Sequence, residues 1–495
     1  MTTALDRLVD YAISHGLIDA SERTYRLNLL YGAFCPDGGV PDVADCQGKT
    51  IQGLLDFLCD EAVRLGRIAD TQGNRDRFDS LLMGLVAESP SHITHRFYEL
   101  YEQSPKEATD WFYRFSRDVN YIRAERVARD VRWDAQTQYG TLELSINLSK
   151  PEKDPRDIAA AGKTVSANYP ACALCVENEG YVGSATQQAR QNLRIIPITV
   201  NDEAWGFQYS PYVYYDEHCI VLNAEHKPMR IDAAVFDKLF DFIGLFPHYF
   251  VGSNADLPIV GGSILSHEHF QGGIHELPMA KAPIETPLTF ADYPQIRAGI
   301  VKWPMSVIRL QSQDRKALAK LAARILAAWR EYTDESAFVF SHTDGEPHNT
   351  ITPIARMREG QYELDLVLRN NITTQEHPLG VFHPHAHLHH IKKENIGLIE
   401  VQGLAVLPAR LRQEWEMLRQ VYVNGGSFAD HPQTASHQAW MQEIMERRTD
   451  LTPDTFDLVI KEEIAHVFEQ VLEDAGVFKR NKEGQDAFLR FASNI

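Results

Sequence analysis

At Gly140 the apolar residues change period, and that change limits the folds open to this chain. Upstream, residues 1 to about 135 carry helical spacing. Leu54, Leu55, Phe57, Leu58, Ala62 and Val63 form one stripe, and Phe78, Leu81, Leu82, Leu85 and Val86 form another. A third helix is expected after Pro105, through Trp111, Phe112 and Phe115. Downstream, Leu142, Leu144, Ile146 and Leu148 alternate with Glu143, Ser145 and Asn147, the period of a strand. Residues 165–275 read as strands and loops around one helix over 231–246. Further strands are expected over 338–340 and 364–368, with a helix over 315–331. After Pro408 the helical period returns, near 409–422, 435–447 and 455–474.

The strand-rich middle holds the motif with the most chemistry: Gly261-Gly262-Ser263-Ile264-Leu265-Ser266-His267-Glu268-His269-Phe270-Gln271. His267, His269 and Gln271 recur at every second position, so an extended chain puts all three on one face. Burying three polar groups on one face is costly without partners. Two glycines just upstream let a ligand approach the backbone. The arrangement suits transfer of a phosphoryl or nucleotidyl group through a histidine.

The chain has 495 residues and a net charge of -19, which argues against nucleic acid or an anionic membrane as the main partner. A local positive pocket for a small anion is still compatible with that charge. The first residues show no basic stretch followed by an apolar run, and no apolar run reaches the roughly 18 residues that span a bilayer. Cys35, Cys46, Cys59, Cys172, Cys175 and Cys219 are few and scattered, which fits a reducing, cytoplasmic setting.

Other motifs carry less. Gly48-Lys49-Thr50 and Gly162-Lys163-Thr164 imitate a phosphate-binding loop, but the required upstream glycine is Val43 in one and Asp157 in the other. His383, His385, His387 and His389 alternate and would share a strand face, as a metal or anion site or as a solvated edge. Cys172-Ala173-Leu174-Cys175 is half of a zinc set at most, with His218 and His226 as nearby partners.

Taken together these residues resemble the galactose-1-phosphate uridylyltransferases, the transferase branch of the histidine-triad superfamily. The third histidine of that superfamily's pattern is here Gln271. The resemblance is to the second type of the family. It runs through Asn147-Leu148-Ser149-Lys150-Pro151-Glu152-Lys153-Asp154-Pro155 and Gln208-Tyr209-Ser210-Pro211-Tyr212-Val213-Tyr214-Tyr215. It continues through the segment from Gly252 into the histidine motif, and through residues 382–403. The first type usually has proline between the histidines, where Glu268 stands here.

The resemblance implies an α+β fold. Two histidine-triad-like strand/helix units would form an antiparallel-sheet core, with additional helical N-terminal and C-terminal regions. The expected divisions are 1–135, mainly helical; 136–300, the first half with the catalytic motif; 301–407, the second half; and 408–495, helical again. It implies transfer of UMP from UDP-glucose to galactose 1-phosphate through a covalent uridylyl-histidine. His269 would be the nucleophile, Gln271 a donor to phosphate, and His267 an orienting residue. Asn254, Gly261, Gly262 and Ser263 would contact substrate. A structural zinc would use Cys172, Cys175, His226 and His267, and a second metal site would use His385 and His387, with His348 a looser candidate. No organic cofactor is implied beyond the nucleotide sugar, and a homodimer is. A nucleotide phosphorylase or hydrolase of the same superfamily is the competing enzyme, and a histidine-rich metal-binding protein the non-enzymatic alternative.

Overall fold

The computed structural model describes residues 3–149, 169–184, 187–262 and 264–495. Ser263, the lysine-bearing turn over 150–155 and the loop at Gly162 lie outside them. The chain forms two compact units. The first comprises residues 1–129, 149–213 and 217–227, and the second residues 130–148, 214–216 and 228–495. The fold is α+β.

The first unit begins with helices Ala4–Ser14, Arg23–Phe34, Ile51–Arg64, Gln72–Leu85, Pro90–Tyr101 and Pro105–Asp118. Their starts are written locally. The side chains of Thr3, Thr50, Thr71, Ser89 and Ser104 each accept a backbone N–H of the first turn, and Pro90 and Pro105 open their helices. Phe97 and Phe112 of two of these helices meet edge to face at 5.9 Å. Three strands of this unit, β3 (Ile196–Val200), β4 (Glu203–Tyr209) and β5 (Cys219–Asn223), pair antiparallel in sequence order.

The second unit contains β1 (Val131–Thr137) and β2 (Gly140–Ile146), an antiparallel hairpin, with β15 (Leu404–Leu407) parallel to β2. Its larger sheet portion runs in the order β7 (His269–Gly273), β6 (Phe250–Gly252), β13 (Asn349–Arg358), β14 (Gln361–Asn370), β10 (Val307–Ser312), β9 (Arg297–Val301) and β8 (Ile284–Leu288). A short pair, β11 (His342–Thr343) and β12 (Glu346–Pro347), stands apart. Glu359 and Gly360, both at positive φ, make the tight turn that joins β13 to β14.

Helix Ala233–Leu245, capped by Asp232, and helix Arg315–Arg330, capped by Asp314, pack on each other and on β13. In element order, three strands, a helix and two strands occur twice: β3, β4, β5, helix 233–245, β6, β7, and then β8, β9, β10, helix 315–330, β13, β14. The remaining apolar core joins β1, β2 and β15 to helices Arg410–Asn424, Gln438–Arg447 and Phe456–Ala475. A last helix, Lys482–Ser493, lies beyond the periodicity read from the sequence, although Asn481 caps it and Phe488 and Phe491 mark its buried face. Among the described residues no helix is long and apolar enough to cross a membrane.

Two expected strands are corrected. Residues 338–340 have strand-forming side chains, but they follow a 3-10 turn, Phe338 sits at φ 56°, and only an isolated bridge links Val339 to Asp334. The histidine run 383–389 is not extended: a 3-10 turn over Ala386–Leu388 breaks the alternation. Its four histidines therefore do not share a strand face.

Candidate active site

His269 opens β7, and Gln271 follows two residues on. Gln271 pairs with Gly252 of β6, and Gly252 pairs with Ile354 of β13, whose partner on β14 is Asp365. Directly paired residues point to the same face. His269 and Gln271 therefore share a face with Ile354, Arg356 and Asp365. His267 is in a bend before the strand rather than within it, and is fully buried. The expected single strand face thus holds for His269 and Gln271, while His267 contributes from the approach.

That approach fixes the imidazole. The Nδ1 of His269 lies 2.8 Å from the backbone oxygen of His267. A carbonyl only accepts, so Nδ1 carries the proton and donates, and the lone pair is on Nε2. His269 is 6% exposed. Burial lowers its pKa to about 4, against the smaller opposing pull of the hydrogen bond to the His267 carbonyl. At neutral pH the ring is uncharged, the state a nitrogen nucleophile needs.

Glu268 faces elsewhere. It is buried, and its Oε1 accepts from Lys238 Nζ at 2.7 Å. Lys238 comes from helix 233–245 and lies thirty positions upstream, so sequence spacing gave no sign of it. The pair ties the histidine motif to that helix. Neither charge could be buried alone at tolerable cost.

The loop before the motif is held as firmly. Asp256 accepts from the backbone N–H of Ile231 (2.9 Å), from Arg330 (3.1 Å) and from the Thr350 hydroxyl (2.5 Å). Asn254 is buried, and its Oδ1 accepts the N–H of Leu398 at 2.9 Å. A Cβ on Gly261 would lie 2.5 Å from the Ala255 oxygen and 2.7 Å from the Leu257 oxygen; one on Gly262 would lie 2.7 Å from Asn254 Nδ2. Both glycines are therefore required by the loop's own packing. Gly261→Ala is expected to cost about 1–3 kcal/mol through backbone displacement, measured as a lower midpoint in urea unfolding. An unchanged midpoint would remove this explanation for the glycine.

In the first unit, Cys172, Cys175 and His226 come together. Their ligand atoms fall within 4.8 Å of one another, with Sγ–Sγ at 3.5 Å and Cys175 Sγ to His226 Nδ1 at 3.1 Å. Burial, aided by Cys172, pushes the Cys175 thiol up to about 11. Two thiols and an imidazole at this spacing fit zinc, whose tetrahedral ligands stand about 3.5 Å apart. His218, the other nearby candidate, is buried elsewhere in that unit and is not part of the group.

The later histidines do not converge in the same way. His385 Nε2 donates to the Val381 carbonyl, its Nδ1 lies 3.4 Å from Asp474, and its ring stacks on His377 at 4.2 Å. His387 is exposed, with its ring 6.5 Å from that of His385. His348 is engaged with Asn371 at 2.8 Å. Among the described residues, His385 and His387 belong to no group of three close donors.

Comparison with known proteins adds identity to this geometry. The family models for the N-terminal and C-terminal domains of galactose-1-phosphate uridyl transferase match residues 57–228 and 242–440. The chain is similar to the galactose-1-phosphate uridylyltransferase of Bacillus subtilis (strain 168), at 50% identity over 99% of this chain and 97% of that one. It is similar also to that of Fusobacterium nucleatum, at 49% over 99% and 98%. That of Clostridium acetobutylicum is 48% identical over 98% of each chain.

Proposed function

Since the chain belongs to the galactose-1-phosphate uridylyltransferase family, we propose that it transfers UMP from UDP-glucose to galactose 1-phosphate, with His269 as the nucleophile. The supporting observation is the buried, neutral imidazole whose Nδ1 proton is held by the His267 carbonyl. Nε2 attacks the α-phosphorus, a phosphorus–nitrogen bond forms, and the bond to glucose 1-phosphate breaks. The charge left on the ring is shared with the His267 carbonyl through Nδ1–H. A phosphate oxygen of galactose 1-phosphate then attacks the same phosphorus, and Nε2 leaves with its electron pair. Two such steps give ping-pong kinetics.

Gln271, on the same face, donates its amide N–H to a non-bridging oxygen as charge builds there. It has no acidic proton to offer, and a sugar phosphate needs little help to leave. Asn254 and the backbone N–H groups at Gly261 and Gly262, with Ser263, are assigned to the substrate phosphates. Glu268, paired with Lys238, is assigned to support rather than to chemistry.

Zinc on Cys172, Cys175 and His226, with His267 as fourth ligand, belongs to the same proposal. Four nitrogen and sulfur ligands make a closed structural site. The zinc would hold these residues in place and take no part in the steps. Purified protein is expected to contain one zinc per chain by elemental analysis, and Cys172→Ser to lose it together with several degrees of thermal stability. Full stability in a metal-free preparation would count against the site.

The deciding experiment is incubation with UDP-glucose labelled at the α-phosphorus, followed by peptide mapping. Label is expected on His269, together with exchange of free glucose 1-phosphate into UDP-glucose. A folded protein that catalyses no exchange is not the transferase.

A further inference from the structure

We infer that Arg369 is a positioning residue for the substrate phosphates: it grips the main chain at Ile396, and the two residues that follow hold Asn254 in place. The inference rests on the reading above, in which Asn254 meets those phosphates. Arg369 lies four positions beyond Asp365 on β14, opposite Thr350 of β13. Four positions keep a side chain on the same face of a strand, so Arg369 shares the face of Gln271 and Ile354.

The link to Asn254 is short and made of main chain. Arg369 Nη2 donates to the Ile396 carbonyl at 2.8 Å, and Nη1 to the Thr352 hydroxyl at 3.4 Å. Two residues after Ile396, the Leu398 N–H donates to Asn254 Oδ1 at 2.9 Å. Gly397 stands between them, so close that a Cβ there would lie 3.1 Å from the same oxygen. Ser253, just before Asn254, donates its N–H to the Pro353 carbonyl at 3.0 Å and ties this segment to β13. A backbone N–H can only donate, so the amide oxygen of Asn254 must face Leu398. The Nδ2 end then faces Gly262, where a Cβ would lie 2.7 Å from it. Arg369 therefore fixes, through three residues of main chain, which end of the Asn254 amide turns toward the glycine loop.

An arginine is a costly choice for that hold. It is 1% exposed, and its Nε finds no hydrogen-bond partner among the described residues. Glu400 is the carboxylate that acts on it, but both Glu400 oxygens are engaged, Oε1 by Lys392 Nζ at 3.1 Å and Oε2 by the Gly397 N–H at 3.2 Å. Burial pulls the Arg369 pKa down to about 10, against the smaller pull of Glu400, so the charge remains at neutral pH. Arg309 and Arg356, on the same face, are instead matched by Asp365 and Glu363. A buried guanidinium without a carboxylate of its own is destabilising, and a neutral amide would hold the Ile396 carbonyl at lower cost. The excess charge has the sign that phosphates arriving at Asn254 offset.

The test is binding of UDP to the intact chain by titration calorimetry, in the parent, Arg369→Met, Asn254→Ala and the double variant. Thermal melts check that each is folded. Arg369→Met keeps the bulk of the stem and removes the donors and the charge. Each single variant is expected to weaken UDP binding about tenfold, and the double variant no more than Asn254→Ala alone, because one residue acts through the other. Arg369→Lys, which restores the charge, is expected to recover part of the loss. A merely structural arginine would lower the melting temperature without this dependence on Asn254. UDP binding in folded Arg369→Met within about twofold of the parent overturns the inference, as do losses that multiply in the double variant. If Arg369→Met does not fold, the same cycle is read in Arg369→Lys, where a loss of about threefold is expected to vanish in the Asn254→Ala background. Exchange of glucose 1-phosphate into UDP-glucose by the parent separates the two readings. With exchange intact, failure of the cycle leaves the transferase reading standing; a parent without exchange ends both.

Discussion

His269→Ala is expected to lower the transfer rate by about four orders of magnitude or more, since on the proposed mechanism it removes the atom that bonds to phosphorus. The protein should remain folded, because the imidazole makes its one identified hydrogen bond to a carbonyl rather than bracing another side chain. Labelled UDP-glucose should then leave no covalent mark on the chain. Gln271→Ala is expected to be milder, about a hundredfold, in line with the loss of one donor to a developing negative charge. The contrast separates the two roles. A nucleophile variant loses both half-reactions and the covalent intermediate, while a donor variant still forms the intermediate more slowly. Exchange of glucose 1-phosphate into UDP-glucose at near normal rate in His269→Ala would transfer the nucleophile's role to another residue.

The largest expected effect on stability lies two strands from β6, at Asp365. This side chain is wholly buried on β14 and accepts from Arg309 Nε at 2.6 Å and Nη2 at 2.9 Å, and from Arg356. Arg309 also donates to the carbonyls of Met279 and Ala282. Asp365→Ala would leave two buried guanidiniums facing the single carboxylate of Glu363. The expected cost is about 3–5 kcal/mol, the range for breaking a buried ion pair from one side, read as a fall in the urea midpoint.

The same group sets a direction with pH. Burial alone would raise the Asp365 pKa, but Arg309 and then Arg356 outweigh it and hold the carboxyl below its ordinary value. The folded state therefore binds this proton less readily than the unfolded chain. Its contribution is complete above the ordinary carboxylate pKa of about 4 and fades as pH falls further. Acid unfolding below pH 4 should thus be less steep in Asp365→Ala than in the parent. Identical acid profiles would assign the acid sensitivity to other carboxylates.

Much of this was legible in the sequence, for reasons that differ by residue. The sequence expected helices over 231–246 and 315–331, from local periodicity alone, and the structure has them over Ala233–Leu245 and Arg315–Arg330. The alternation of His269 and Gln271 was local too, and the strand register bears it out. The run from His383 to His389 had the same alternation, yet Pro384 and the following 3-10 turn bend the chain, so a period of two was not evidence of a strand there. Phe338 misled for a related reason, since bulk and aromaticity favour strands but its left-handed φ does not. Lys238, Asp256, Arg309 and Asp365 were missed because each finds its partner far along the chain. An isolated charge in a sequence does not show whether it is solvated or buried against another.

The hydrogen bond from His269 to the His267 carbonyl has one more consequence. The group that orients the proposed nucleophile belongs to the main chain, and no codon specifies it. A scan that replaces every residue in turn would report on the side chain at 267, and so on any metal it holds, while the acceptor itself persisted through every substitution. Heredity can alter the nucleophile in one step, but the acceptor only by re-routing the loop. Replacing the peptide bond after residue 267 with an ester, by chemical synthesis, weakens that carbonyl as an acceptor and exposes a catalytic contribution hidden from genetics.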